Sequence, residues 1–271
     1  MQQYVNQNNF RKYVNFLLTR FKIAFFTSKE YKSNLYSHIL SDLVIITTYM
    51  IFFKIVLGLI GDNLNWIYFD FWIYFLLLGI AAKSMYNFTL RKFSKILLKG
   101  DFNIVQLQPI NRFLNSVTQQ ITGHGMITTF NFVIILIISI IYKSNLYTFT
   151  NIILATLFFI FGTIYFYIYI NFFESFAFFF KNIEQTVRFA NNQINYINEF
   201  YTPKVFENTK LKDFFFLLPS GLYGYLTVEI LKGNYFLSLH YLYYAIVIFV
   251  IFCVSIALLW KFGLKKYEAF G

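Results

Sequence analysis

The residues of this sequence that could do chemistry are few and far apart. Its three histidines, His38, His124 and His240, are widely separated, and its single cysteine, Cys253, lies in an apolar run. A metal centre needs several such ligands at characteristic spacings, and an acid–base or nucleophilic site needs a reactive group beside its base. The sequence has no such grouping. We therefore expect no catalytic residue, no metal site and no cofactor bound by this chain.

Four charged side chains that interrupt apolar runs are the remaining candidates. Asp42 and Lys54 lie in one run, and Asp70 and Lys83 lie in the next. Charges in such surroundings either form structural ion pairs or take part in moving an ion or a substrate. Which role applies depends on the elements that position them.

The composition identifies those elements as membrane spans. Of the 271 residues, 58% are hydrophobic, 23% are aromatic and 13% are charged, and the mean hydropathy is +0.55. One soluble core of this length could not hide so much apolar surface. We therefore expect an all-α membrane protein with spans at about 35–60, 67–86, 126–142, 151–174, 214–230 and 239–260.

The basic residues predict the orientation of these spans. A net charge of +11 would suggest nucleic acid in a soluble protein, but 19 of the 23 Lys and Arg residues lie in residues 1–34, 89–125, 181–212 and 261–271. The short loops between these segments hold at most one each. This alternation is the positive-inside pattern, which predicts six transmembrane helices with both termini in the cytoplasm and no nucleic-acid partner. The same basic residues suit contact with membrane lipid.

Depth in the first two spans predicts how the four charges pair. Span 1 runs outward from Asp42 to Lys54, and span 2 returns inward from Asp70 to Lys83. Residues at equal depth on antiparallel helices are neighbours, so Asp42 would pair with Lys83 and Lys54 with Asp70. An unpaired charge at depth costs ~2.5–3.5 kcal/mol, which favours structural ion pairs over a transport role. The alternative is that the side chains, above all Lys83, extend to the nearest headgroups.

Two other segments carry expectations. Residues 1–34 should form a cytoplasmic amphipathic helix at the interface, because basic residues interrupt their apolar positions, and residues 35–271 should form a single six-span domain. In the fifth span, Pro219 removes a backbone donor and is followed by Gly221 and Gly224. These residues predict a kink that serves either helix packing or a gate.

The polar stretch between spans 2 and 3 carries a family resemblance. It reads LLKGDFNIVQLQPINRF, Leu97 to Phe113, and is accompanied by KEYKSNL at residues 29–35 and WKFGLKKYEAFG at residues 260–271. These motifs resemble those of the ABC-2 type permeases, and more narrowly the branch described as ABC-2 family transporter proteins. The matches are collinear and cover essentially the whole chain. Asn103 stands where the family is expected to carry an acid.

The resemblance implies that this stretch is a cytoplasmic coupling element. Its residues Lys99, Gly100, Asp101, Pro109 and Asn111 would contact a separate ABC ATP-binding subunit. A second permease subunit, the same or a homologous chain, and export rather than import are also implied. The sequence contains no G-x-x-x-x-G-K-[ST] motif, so ATP and Mg²⁺ are expected on the partner chain.

Two functions from different classes follow from these observations. The first is the permease subunit of an ATP-binding cassette exporter in the plasma (inner) membrane of a bacterium, with an unidentified substrate. The second is a structural or assembly subunit of a respiratory or organellar membrane complex, since an AT-rich organelle genome would give the same composition. A membrane-embedded enzyme is disfavoured because no cluster of His, Asp or Glu shares one depth.

Overall fold

In the part of the chain that the structure describes, helices are joined by short turns. The computed structural model describes residues 2–30, 32–60, 66–90, 93–119, 121–180, 185 and 202–270, and these residues contain no strand. The α-helices are α1 (Gln2–Glu30), α2 (Lys32–Ile60), α3 (Tyr68–Phe88), α4 (Phe93–Leu98), α5 (Phe102–Gln106), α6 (Arg112–Thr118), α7 (Gly123–Tyr142), α8 (Phe149–Ser175), α9 (Lys212–Leu217), α10 (Thr227–Leu231) and α11 (Tyr235–Phe270). Short 3-10 helices lie at Ser144–Leu146, Phe176–Phe178 and Pro203–Phe206, and a π-helix lies at Gly221–Leu226.

Five helices in the described part of the chain are long and apolar enough to cross a membrane. They are Tyr36–Ile55, Tyr68–Met85, Gly123–Tyr142, Phe149–Phe178 and Tyr235–Tyr267. About 20 apolar residues span a hydrocarbon core, and each of these segments meets that length within two residues or exceeds it. The chain is therefore a multi-pass membrane protein, and the part of it that the structure describes is helical.

The span predicted at 214–230 is not a continuous helix. Its residues are divided among α9, the π-helix and α10. Leu218 ends α9 with φ −60° and ψ 148°, the extended conformation favoured before proline, and Pro219 follows without a backbone donor. Every residue from 218 to 231 is buried. This broken segment therefore lies inside the helix bundle and is not a regular membrane helix.

Helix α3 is the centre of the bundle. Every residue from 70 to 78 is buried, and Tyr74 is completely covered. The π-helix approaches α3 so closely that a Cβ at Gly224 would lie 2.6 Å from the Tyr74 ring. On its other side, a Cβ at Gly162 of α8 would lie 2.8 Å from the backbone nitrogen of Tyr223. Glycine at 162 and 224 thus lets α3 and α8 enclose the broken segment.

The two terminal helices differ in length from the predicted elements. Helix α1 ends at Glu30, and α2 already begins at Lys32. Helix α11 runs to Phe270, although the predicted span ended near residue 260. Its 36 residues correspond to about 54 Å, well beyond one hydrocarbon thickness. The basic end of the chain is therefore a continuation of the last membrane helix.

Candidate coupling element

The stretch that follows α3 folds as three short helices, α4, α5 and α6, which we call the coupling element (residues 93–118). The turn between α4 and α5 depends on Gly100, whose φ of +77° is unfavourable for a residue with a Cβ. The Gly100 N–H donates to the Leu97 carbonyl at 3.2 Å, and the Gly100 carbonyl accepts from the Asn103 N–H at 3.0 Å. Lys99 and Asp101 flank this turn and are exposed.

The turn between α5 and α6 contains the other two predicted contact residues. Asn111 is the N-cap of α6, and its Oδ1 accepts a hydrogen bond from the Leu114 N–H at 3.1 Å. The Pro109 carbonyl accepts a hydrogen bond from the Lys12 ammonium of α1. Both residues are exposed, yet each also fixes local structure. Their predicted contact with an ATP-binding subunit stays a prediction.

Buried aromatic rings anchor the coupling element to the bundle. Phe93 and Phe102 are completely covered, and Phe93 stacks on Trp260 of α11 with ring centroids 5.3 Å apart. Phe102 packs edge-on against Tyr267 at 5.2 Å. Trp260 Nε1 donates to Ser175 Oγ of α8 at 3.0 Å. The element is therefore held by the ends of α8 and α11 together.

Hydrogen bonds at both ends of the element add to this anchor. Asn171 of α8 accepts from the Leu90 N–H at 2.8 Å and donates to the Phe88 carbonyl at 3.3 Å, which ties α8 to the end of α3. Tyr267 donates to Asn103 Oδ1 at 2.9 Å, so the position where an acid was expected contacts α11. Inside the element, Asn115 donates to the Val105 carbonyl at 3.3 Å.

Three apolar side chains of the coupling element are exposed, and we refer to Leu98, Ile104 and Leu107 together as the ridge. These side chains are 58%, 61% and 85% exposed. Sequence analysis did not single them out, although helical phase could have done so. Phe102 and Val105 of α5 are buried, and Ile104 and the capping residue Leu107, which follow the same helical phase, therefore point the other way. Exposed apolar surface of this kind is available for contact with a protein or with lipid.

The structure forms one of the two predicted ion pairs. Lys83 Nζ lies 3.1 Å from Asp42 Oδ1, which joins α3 to α2. The predicted pair between Lys54 and Asp70 is wrong: Asp70 Oδ2 lies 3.0 Å from Lys232 Nζ instead, and the Lys54 side chain is exposed. Matching depths on two helices could not identify this partner, because Lys232 arrives from the end of the broken segment.

Further polar contacts surround the Asp70–Lys232 pair. The Ile67 N–H donates to Asp70 Oδ2 at 3.0 Å, and Trp66 Nε1 donates to Glu229 Oε1 at 2.6 Å. Asn234 donates to the other Glu229 oxygen at 2.6 Å. We call residues 66–70 and 229–235 the polar corner. It lies at the opposite end of α3 from the coupling element.

The histidines are arranged differently from the sequence-based expectation. His38 and His124 were expected to lie apart, but their rings stack with centroids 3.5 Å apart. The first turns of α2 and α7 meet beside α1, which sequence separation does not reveal. Among the described residues, no group of three or more His, Cys, Asp or Glu side chains could hold a metal ion.

Pro219, Gly221 and Gly224 lie in the enclosed broken segment. All three are buried. A Cβ at Gly221 would lie 2.4 Å from the Phe215 carbonyl oxygen, and Gly224 faces Tyr74. A side chain at either position would clash with its neighbours, so close packing explains why both residues are glycine. A gating role of these residues stays a prediction.

Comparison with known proteins gives one family. A family model described as ABC-2 family transporter protein matches residues 39–271. The match covers α3, α8, α11 and the whole coupling element, and it begins after α1. No curated protein and no solved structure matches the chain.

Proposed function

The chain belongs to the ABC-2 family transporter proteins and is a membrane permease of an ABC transporter; on that premise we propose that it is an exporter subunit driven by a separate ATP-binding subunit docked on its coupling element. In this proposal ATP and Mg²⁺ bind to the partner, because the sequence has no phosphate-binding loop motif. A second permease subunit, the same or a homologous chain, completes the transporter in the plasma membrane of a bacterium.

The observation that carries the proposal is the exposed ridge on an anchored element. Leu107 is 85% exposed, although the chain buries other apolar side chains only two residues away. An exposed apolar side chain gains free energy when a partner covers it, at about 25 cal/mol per Å². Lys99 and Asp101 at the neighbouring turn add charges that could orient a partner. The ridge therefore suits a groove on a protein partner.

The anchoring contacts suit the transmission of a push from that partner. Force applied to the ridge reaches α11 through the Phe93–Trp260 stack and α8 through the Trp260–Ser175 hydrogen bond. It reaches α3 and α8 together through Asn171. Closely packed rings of this kind move as one body rather than deform. The proposal is that ATP-driven closure of the partner tilts these spans as a unit.

The orientation belongs to the same proposal. The basic residues of segments 1–34, 89–125, 181–212 and 261–271 favour the cytoplasmic side for both termini and for the coupling element. With this orientation the broken segment 212–231 provides one more crossing, the fifth of six in chain order. We assign Pro219, Gly221 and Gly224 to the packing of that crossing against α3 and α8.

The test is co-purification of the chain with an ABC ATP-binding subunit from its own host. Leu107→Asp should reduce the recovered ATP-binding subunit, and the ATP hydrolysis of the complex, at least about tenfold, because a carboxylate would have to be desolvated in the interface. The fold should survive, since the side chain is exposed. Leu146→Asp, at an exposed leucine of the short loop between α7 and α8, is the matched control. Undiminished recovery with Leu107→Asp would refute the docking proposal, as would an equal loss with Leu146→Asp.

A further inference from the structure

A cavity of about 350 Å³ lies where α1 packs against the first turns of α2 and α7. The proposed coupling role does not use it. Its polar lining includes a guanidinium, two imidazoles, three hydroxyls and an amide, from Arg20, His38, His124, Thr27, Ser28, Thr122 and Gln119. No carboxylate is among the described residues that line it. This combination favours a ligand that carries a negative charge.

Arg20 and the two histidines can donate hydrogen bonds to a negatively charged group of the ligand. Arg20 Nη2 makes one long contact, 3.4 Å, to Asn115 Oδ1, and a guanidinium has five N–H donors. His38 and His124 lie beside each other in the wall, and each neutral imidazole carries one N–H donor. A planar guanidinium binds phosphate with two parallel hydrogen bonds. The donor set therefore fits a phosphate group.

Other lining groups offer lone pairs rather than protons. Thr27 Oγ1 donates its proton to the Ile23 carbonyl at 2.8 Å, and Ser28 Oγ donates to the Phe25 carbonyl at 2.8 Å. Gln119 Oε1 is buried and accepts no hydrogen bond from the residues that the structure describes. These oxygens suit an ammonium group, whose three N–H donors all need acceptors. A buried oxygen without a donor is costly unless a ligand supplies one.

The surroundings of the cavity are apolar. Ile23 lines it and is 58% exposed, and Phe26, one turn further along α1, is 60% exposed. Ile121 and Ile127 line the α7 side. A free phosphate ion would gain nothing from contact with these apolar side chains, whereas the acyl chains of a lipid would cover them and remove them from water.

We propose that this cavity binds the phosphoethanolamine headgroup of a membrane phospholipid. The phosphate lies against Arg20 and the histidine pair, and the ammonium group lies against Thr27, Ser28 and Gln119. The bound lipid then links α1 to α2 and α7. Because α1 also contacts the coupling element at Pro109 and Asn115, the lipid stabilises the position of that element from outside the bundle.

The test is native mass spectrometry of the delipidated full chain in detergent. The probes are dihexanoyl phosphatidylethanolamine, dihexanoyl phosphatidylglycerol and inorganic phosphate. One molecule of phosphatidylethanolamine should bind, more tightly than phosphatidylglycerol, and inorganic phosphate should not compete with it. Equal affinity for the two lipids would refute recognition of the ammonium group. Competition by inorganic phosphate at the same concentration would identify an anion site without lipid preference and overturn the proposal.

Two variants separate the halves of the site. Arg20→Gln should weaken phosphatidylethanolamine binding about tenfold, because one charge-assisted contact is lost. Lys22→Gln is the control: it removes the same charge from an exposed position of α1 outside the cavity, and it should change the affinity less than about twofold. Gln119→Leu should weaken binding of phosphatidylethanolamine and leave that of phosphatidylglycerol unchanged. Equal weakening by Arg20→Gln and Lys22→Gln would indicate diffuse charge attraction and contradict the site. Gln119→Leu acting equally on both lipids would contradict the ammonium assignment.

Discussion

The two ends of α3 are held in opposite ways. At the polar corner, the carboxylates of Asp70 and Glu229 are buried and paired, with the half-buried Lys232 and with the Trp66 indole N–H respectively. At the coupling element, aromatic rings provide the anchor, and the charged residues Lys99 and Asp101 stay exposed. The corner keeps its polar groups for internal contacts, whereas the element presents both charge and apolar surface outward.

We interpret this difference as one of role: the polar corner fixes internal geometry, and the coupling element is the candidate surface for a partner. Buried ion pairs add little net stability, but removing one partner leaves the other charge buried without compensation. Arrangements that separate the two charges are therefore strongly disfavoured. Aromatic packing tolerates small movements of the whole cluster as a body and leaves the opposite face available. The comparison predicts that variants of the corner mainly affect folding, and variants of the element mainly affect coupling to a partner.

Asp70→Ala should have the largest effect on stability. It leaves Lys232 without its carboxylate 3.0 Å away and removes the acceptor of the Ile67 N–H, and such a change costs about 3–5 kcal/mol. The free energy of unfolding in mixed micelles, measured by SDS titration, is the readout. Lys54→Ala is the control and should stay within about 0.5 kcal/mol of the wild type, because that side chain is exposed. A loss from Lys54→Ala as large as that from Asp70→Ala would restore the pairing expected from the sequence.

Phe93→Leu should have an intermediate effect on stability and a larger one on coupling. The change keeps an apolar side chain but removes the ring that stacks on Trp260, at a cost of about 1–1.5 kcal/mol. Stimulation of ATP hydrolysis by the permease should fall more than this loss explains. Phe130→Leu, at a ring of α7 that is 63% exposed, should change neither quantity. Normal coupling in the Phe93→Leu variant would show that the aromatic anchor is not the path of transmission.

Gly100→Ala should have the smallest effect. Apart from its own chain neighbours, the described atom closest to the added Cβ is Asn103 Nδ2 at 3.9 Å, so the cost is the backbone strain at φ +77°, about 1 kcal/mol. Hydrogen exchange of the amides around residues 99–103 should become faster in the variant. Gly100→Asn should show a smaller change, since asparagine tolerates this conformation better. Equal protection in all three proteins would mean that the turn is not constrained by its glycine.

Much of this arrangement could be predicted from the sequence, and what could not has physical causes. Apolar runs located the five long helices, and depth matching found the Asp42–Lys83 pair because both residues lie on adjacent antiparallel helices. The same logic failed for Asp70, whose partner Lys232 comes from a third element. Composition also predicted a continuous membrane helix at 214–230, but the structure divides these residues among three helical pieces, a break that Pro219, Gly221 and Gly224 signalled in the sequence. The His38–His124 stack depends on tertiary packing that no local pattern encodes.

The surface that we propose for partner docking could be only partly predicted from the sequence. The resemblance located the coupling element and pointed to its conspicuous residues, Gly100 and Asn111 among them. In the structure these two residues shape the turns, and the exposed surface is formed by Leu98, Ile104 and Leu107. Helical phase separates Ile104 and Leu107 from Phe102 and Val105, but only the burial seen in the structure shows which of the two pairs faces outward.

The most direct test of the account is site-specific photo-crosslinking from position 107. A benzoylphenylalanine replacing Leu107 in the membrane-embedded transporter should form a covalent adduct with the ATP-binding subunit, and the same probe replacing Leu146 should form none. This result would place the ridge of the coupling element in the interface that the account assigns to it. Adducts only with lipid or with a second permease copy from position 107, or adducts with the ATP-binding subunit from position 146, would contradict it.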